Sequence, residues 1–290
     1  MRAHEAFAHL VSVLRAFSLS VHVSTPWTMG VDFAPVAGIA DTGHLDVDLP
    51  ELFVETAQSV KRLGAPGIAL FLDDLQDAAE ADLTALCLAS HAAAQVGTRI
   101  MVIGAGLPHL PMRLADARSY AERLYEYHVV DRLDREASVR ALVEPARREG
   151  AQFDPDALEL LYTLSEGYPY FLQAYGQCAW DVAAASPIGR GDVEVAALVA
   201  QEQLDVGFFG TRYDRATPKE RAYLTAMAGV AAGGEASTAD IAQALGRSAR
   251  SLSAARDGLI RKGLVFGSAR GRLAFMVPQF AEYLLRRPGD

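Results

Sequence analysis

The sequence predicts an α/β core with a parallel sheet, then an all-helical module, then a small module of helices closed by a β-hairpin. Three observations predict this. Two buried-type runs, one over Gly67–Leu72 and one over Thr98–Gly104, flank a helical stretch, and a run without polar alternation suits a strand covered on both faces. From Asp134 the strand signals stop and four helical segments follow. From Thr217 the order is helix, short helix, helix, hairpin.

The elements follow in chain order. Residues 5–17 set Phe7, Leu10, Val11, Leu14 and Phe17 at helical spacing. Ser18 to Ser24 alternates Leu19, Val21 and Val23 with polar residues, the pattern of a strand. Pro26, Gly30, Pro35, Gly38 and Gly43 mark residues 25–47 as a long loop. Asp48 to Leu63 reads as a helix with Leu52, Phe53, Ala57 and Val60 on one side. The first buried-type strand ends in Asp73-Asp74, a helix spans Glu80 to Gln95, and the second strand closes at Gly104. After a Pro/Gly loop and a helical stretch, Arg123 to Leu133 holds a third strand.

Helices are then expected over Arg135–Gly150, Asp156–Gly167, Tyr170–Ala185 and Val193–Phe209. Asp154 and Pro155 supply an N-cap and a first-turn proline for the second of them. Thr217-Pro218-Lys219-Glu220 is a capping box opening a helix through Met227. Ser237 to Asp240 opens a short helix to Leu245, Gly246 breaks it, and Ser248 caps a third helix through Lys262. Val265-Phe266 and Leu273–Val277 form a hairpin around the tip Gly267–Gly271. This order is that of a winged helix-turn-helix. The expected domains are residues 1–133, 134–212 and 213–290.

Composition narrows the function. Hydrophobic residues make up 51% and charged residues 22% of 290, which excludes intrinsic disorder. The apolar stretches fall short of the ~20 residues that span a bilayer, and no secretory signal opens the chain, so a cytoplasmic protein without a membrane partner is expected. Cys87 and Cys178 make no disulfide framework and suit a reducing compartment. The seven histidines form no metal-binding pair, which speaks against zinc. The net charge of −9 is uneven. From Thr217 onward eleven basic residues face six acidic ones, a net +5, whereas 16 basic and 30 acidic residues before it give −14. A basic end on an acidic body points to nucleic acid.

Asp73-Asp74 is the sharpest site feature. A strand of a parallel sheet delivers its last residues to the edge where ligands bind in open α/β folds. One carboxylate there can hold Mg²⁺ through water and its neighbour can polarise an attacking water. In the last module Leu252, Ala255 and Leu259 share one face of the third helix. Arg247, Arg250 and Arg261 fall on the opposite face, and Arg270 and Arg272 sit at the hairpin tip, where arginines reach phosphates and base edges.

The order of these features resembles the AAA+ ATPases, within the P-loop NTPases, and specifically the subgroup shared with STAND and origin-recognition-like proteins. Leu70-Phe71-Leu72-Asp73-Asp74 looks like Walker B, Thr98–Gly106 lies where a sensor-1 strand belongs, and residues 134–212 look like the helical lid. Gly167-Tyr168-Pro169 resembles the lid's GxP motif, and Ala40-Asp41-Thr42-Gly43 the connector before Walker B in bacterial ATP-binding proteins of this type. The resemblance implies an ATP-driven switch. ATP and Mg²⁺ would be its cofactors, Asp73 the metal ligand, Asp74 the catalytic carboxylate, and Gly167 and Pro169 the nucleotide contacts.

The departures are as specific. No G-x-x-x-x-G-K-[ST] occurs: Lys61 precedes Arg, Lys219 precedes Glu and Lys262 precedes Gly. Walker B reads Asp-Asp instead of Asp-Glu, Gly104-Ala105-Gly106 brings no polar side chain, and Tyr170-Phe171-Leu172 brings no sensor-2 arginine. The chain thus reads as the family minus its Walker A segment, with negligible ATP hydrolysis expected. A longer chain, residues 18–24, or a partner or second copy would then complete the sheet. Two alternatives stay open: a non-enzymatic regulator binding double-stranded DNA, and a signalling scaffold whose winged helix binds protein.

Overall fold

The structure, a computed structural model, describes residues 2–20, 37–231 and 234–287, and divides into two compact units, Met1–His128 and Val129–Asp290. No helix among the described residues is long and apolar enough to cross a membrane.

The first unit opens with α1 (Arg2–Ser20) and, after turns over residues 37–44, α2 (Leu45–Arg62). Residues 18–20 belong to α1 and not to a strand, because the helical spacing of the preceding turns runs on through them. The rest of the strand expected to Ser24, and the expected loop up to residue 36, lie outside the described residues. The turn before α2 is fastened by the buried Asp48, whose carboxylate accepts from Thr42 N (3.0 Å), Thr42 Oγ1 (2.7 Å) and Gly43 N (2.9 Å). α2 therefore starts three residues earlier than its apolar stripe indicates.

β1 (Ile68–Leu72), α3 (Glu80–Gln95) and β2 (Ile100–Gly104) follow. β1 and β2 pair in parallel with Ile68 opposite Ile100 and Leu72 opposite Gly104. Leu70, Leu72, Ile100 and Val102 pack with Phe53 of α2 and Leu86, Ala89 and Ala93 of α3. The other face differs from expectation: Phe71 is 72% exposed and Met101 62% exposed. Both runs are apolar throughout, so the pattern alone announces two covered faces, whereas among the described residues helices pack on one face.

The unit closes with α4 (Leu110–Ala117) and a one-turn α5 (Ala121–Leu124), which join Leu83 and Cys87 in a second small core. The third strand expected over Arg123–Leu133 does not form: residues 125–134 pair with no strand. Val129 and Val130, its apolar centre, are more than 90% exposed. Their β-propensity has no neighbouring strand to act on.

The second unit begins with α6 (Arg135–Arg148), α7 (Pro155–Ser165), α8 (Pro169–Val182) and α9 (Arg190–Gln203). The last runs into a π-helical turn over Leu204–Gly210 and then α10 (Thr211–Asp214). There follow α11 (Pro218–Val230), β3 (Glu235–Ser237), α12 (Thr238–Ala244), α13 (Ser253–Arg261), β4 (Val265–Ala269), β5 (Arg272–Phe275) and α14 (Phe280–Arg286). The three strands form an antiparallel sheet in the order β3-β5-β4. Thr217 caps α11 as expected: its Oγ1 accepts from Glu220 N, and its own N–H donates to the Glu220 carboxylate at 2.7 Å. The helix expected from Ser248 to Lys262 divides into a 3-10 turn over Ala249–Leu252, capped by Ser248, and α13.

One hydrophobic core runs through the whole second unit, from Leu142 and Leu161 through Phe171, Phe208 and Phe209 to Leu224, Leu259, Phe280 and Leu284. Aromatic rings stitch it together: Phe209 stacks on Tyr283 at 5.2 Å and meets Phe171 edge-on at 5.5 Å.

Candidate functional site

The carboxyl end of β1 carries Asp73 and Asp74, both exposed. Two backbone bonds lock this end to β2: Ala105 N donates to Leu72 O at 2.8 Å and Leu75 N to Ala105 O at 3.1 Å. The chain turns sharply between them. Asp74 takes a left-handed conformation with φ +54°, a strained choice for a residue with a side chain. Asp73 Oδ1 accepts from Asp74 N at 2.9 Å. Gln76 Nε2 donates to Asp74 Oδ1 at 3.0 Å, and Gln76 Oε1 accepts from Leu107 N at 3.2 Å. Gln76 thus ties the second carboxylate to the loop after β2.

Arg113 braces the same turn from α4, donating to the carbonyls of Gln76 and of Ala78, the latter at 2.7 Å. His109 lies beside it with Nδ1 buried and without a hydrogen-bond partner among the described residues, and burial, then the Arg113 charge, lowers its pKa. Gln76, Arg113 and His109 escape sequence reading, since no spacing rule links a residue after one strand to a helix after the next.

Exposed aspartates suit a hard cation that keeps most of its waters and takes one or two carboxylates, as Mg²⁺ does. No cluster of three or more His, Cys, Asp or Glu side chains exists among the described residues, so no all-protein cage competes with that use. The donor chemistry fits magnesium. A phosphate cradle does not come with it, since Lys61, Lys219 and Lys262 lie in α2, in α11 and after α13.

In the second unit Gly167 is buried with φ +70°, and its carbonyl accepts from Leu133 N at 2.8 Å. A Cβ there would stand 2.2 Å from Leu133 O, so only glycine fits. Pro169 is exposed and opens α8. The neighbouring Tyr170 stacks on Phe208 at 4.6 Å, and Arg212 covers the Phe208 ring at 3.6 Å. Glu166, left-handed before Gly167, holds Arg132 in a salt bridge and accepts from Gln279 at 3.1 Å.

The five arginines of the last module do not share one helix face. Arg247 and Arg250 flank and enter the 3-10 turn, Arg261 ends α13, and Arg270 stands at the hairpin tip; all four are exposed and none makes a salt bridge among the described residues. Arg272, in β5, is taken by Glu235 at 2.9 Å. A cavity of about 450 Å³ lies elsewhere in this unit, beside Asp205, Tyr283 and Arg286, and its Arg286 is already paired with Asp205 at 2.8 Å.

Residues 206–284 match a family model described as a domain of unknown function (DUF8462). No curated protein matches the chain. Among solved structures it is similar to the Walker-type ATPase PABY2304 of Pyrococcus abyssi, at 17% identity and a TM-score of 0.57, over 94% of this chain and 75% of that one. The fold is similar to that of this Walker-type ATPase. The RuvB Holliday junction branch migration motor of Thermotoga maritima aligns at 16% identity and a TM-score of 0.41, over 96% and 95% of the two chains. A RuvB variant aligns at 17% and 0.42, over 84% of each.

Proposed function

We propose that this chain is a cytoplasmic AAA+/STAND-like switch protein, in which an α/β unit responds to ATP and magnesium and the second unit carries the response. The carrying observation is the carboxylate pair at the end of β1, with Asp74 held in a strained turn by Gln76. Strain at a strand's carboxyl edge is characteristic of ligand sites. In this reading Asp73 holds Mg²⁺ and Asp74 orients water; in the second unit Gly167 and Pro169 are the proposed nucleotide contacts. Magnesium supplies charge neutralisation at the phosphates when bound. The phosphate cradle is not among these 290 residues, so hydrolysis is expected to be negligible.

The test is binding of a fluorescent ATP analogue to the 290-residue chain. Binding that needs Mg²⁺ and falls at least tenfold in Asp73→Ala supports the reading. Binding indifferent to both Mg²⁺ and Asp73, or no binding, sinks it. Among the described residues β1 and β2 form a sheet of two strands, and its outer edges support a partner or second copy completing the sheet.

A second reading rests on its own observation. Helix, strand, helix, turn, helix and hairpin are the parts of a winged helix-turn-helix, and four of its arginines make no salt bridge among the described residues. They support binding of double-stranded DNA, with the core retained for its fold and not for catalysis. Salt-dependent duplex binding that ignores ATP and weakens in Arg250→Ala is expected; none at low salt would favour a protein-binding scaffold.

A further inference from the structure

We propose that the last module grips duplex nucleic acid by its phosphates at both ends of α13, the second grip being a basic patch formed by Arg215, Lys219, Arg261 and Lys262. This rests on the nucleic-acid reading and adds a site to it. The first grip is the exposed pair Arg247 and Arg250, ahead of α13. The second is assembled from three stretches of chain that tertiary packing brings together.

Lys262, just beyond α13, donates from Nζ to Arg215 O at 2.8 Å and to Glu220 Oε2 at 2.6 Å. This pair of hydrogen bonds fastens the end of α13 to the turn before α11. Gly258 permits the approach: a Cβ there would lie 2.2 Å from Glu220 Oε1 and 4.0 Å from an Arg261 guanidinium nitrogen. Arg261 therefore lies beside the same carboxylate. The acidic groups nearby are already engaged: Glu220 with Lys262, Asp214 with Arg221 and Asp257 with Arg256. Arg215, Lys219 and Arg261 are exposed and make no salt bridge among the described residues. Exposed cations without salt bridges, on stretches of chain that these contacts join, are the electrostatic footprint of a phosphate backbone contact.

The helix between the two grips, nine residues and about 13 Å long at the helical rise, is of a size that a major groove of roughly 12 Å width admits. Between Arg250 and Arg261 the exposed positions are Ser251 and Ala254, whose short side chains cannot make the bidentate contacts that discriminate bases. The half-exposed Arg256 is engaged by Asp257 at 2.9 Å. The grip is therefore on the backbone and independent of sequence.

The experiment is fluorescence anisotropy of a labelled 20-base-pair duplex with the full chain across a salt series, with circular dichroism melts confirming that each variant folds. The double variant Arg215→Gln/Lys219→Gln is expected to bind about tenfold more weakly, with the log–log salt slope shallower by about two. Lys219→Gln alone, at an exposed helix start, should flatten it by about one. A duplex of scrambled sequence should bind within twofold of the first. No binding by the unaltered chain at low salt overturns the nucleic-acid reading together with this one. Binding lost in Arg247→Gln/Arg250→Gln but unchanged in Arg215→Gln/Lys219→Gln overturns the second grip alone. A tenfold preference for one sequence overturns the backbone-only grip.

Discussion

At the residue scale two positions are decided by what surrounds them. Gly167 combines a positive φ with a neighbouring carbonyl where a Cβ would sit. Gly167→Ala should destabilise the second unit by about 2 kcal/mol or more, from left-handed strain plus the clash, read as a lower urea midpoint at unchanged slope. An unchanged midpoint would mean that the Leu133 strand of chain yields freely. Glu220 is the second case. Burial pushes its carboxyl up, but hydrogen bonds from Lys262 and from Thr217 outweigh that, and the net pKa lies below the usual carboxylate range. A group depressed on folding stabilises the native state above its unfolded pKa and loses that contribution as pH falls through the folded one. Stability should therefore drop on acidification below the ordinary carboxylate pKa of about 4.3, and Glu220→Gln should show a shallower drop in urea titrations at stepped pH.

At the element scale the helices are where the sequence is most legible. Capping boxes and apolar stripes act between residues three or four apart, so α3 and the start of α11 lie where the pattern puts them. Strands are less legible because their partners are remote. The run through Val129 and Val130 has strand chemistry and no ladder, and β1 has the chemistry of a two-face strand with one face open. That open face predicts its own behaviour. Phe71 is 72% exposed, so Phe71→Ser should change unfolding free energy by about 0.5 kcal/mol or less. The same change should reduce self-association in sedimentation velocity if a second copy covers the face. A large loss of stability would mean that Phe71 is packed after all. The Asp73-Asp74 pair was legible as the end of a strand. The left-handed turn at Asp74 and its tie to Gln76 were not, since that turn closes only when β2 arrives beside β1.

At the scale of the molecule the two units are separate compact bodies, and the second has one core shared by its helical and hairpin-closed parts. Residues 126–132 are exposed throughout apart from any strand, which makes them the preferred site of proteolytic nicking. Residues 129–290, produced alone, should unfold in one transition, with far-ultraviolet dichroism and Trp180 fluorescence coinciding. Two separated transitions would show that the helices before α11 and the module after it do not share stability.

By itself the sequence determined the helical framework, the carboxylate pair at a strand's end, the capping of α11 and the basic excess at the C-terminal end. These are properties of neighbours in the chain or of composition, and short-range sterics, hydrogen bonding and charge act on them directly. Only the tertiary structure decided which face of β1 is covered, that residues 125–134 form no strand, that Gln76 holds Asp74, and that Lys262 reaches the Arg215 carbonyl and the Glu220 carboxylate. Each depends on groups far apart in sequence, brought together by burial of apolar surface that no local pattern records.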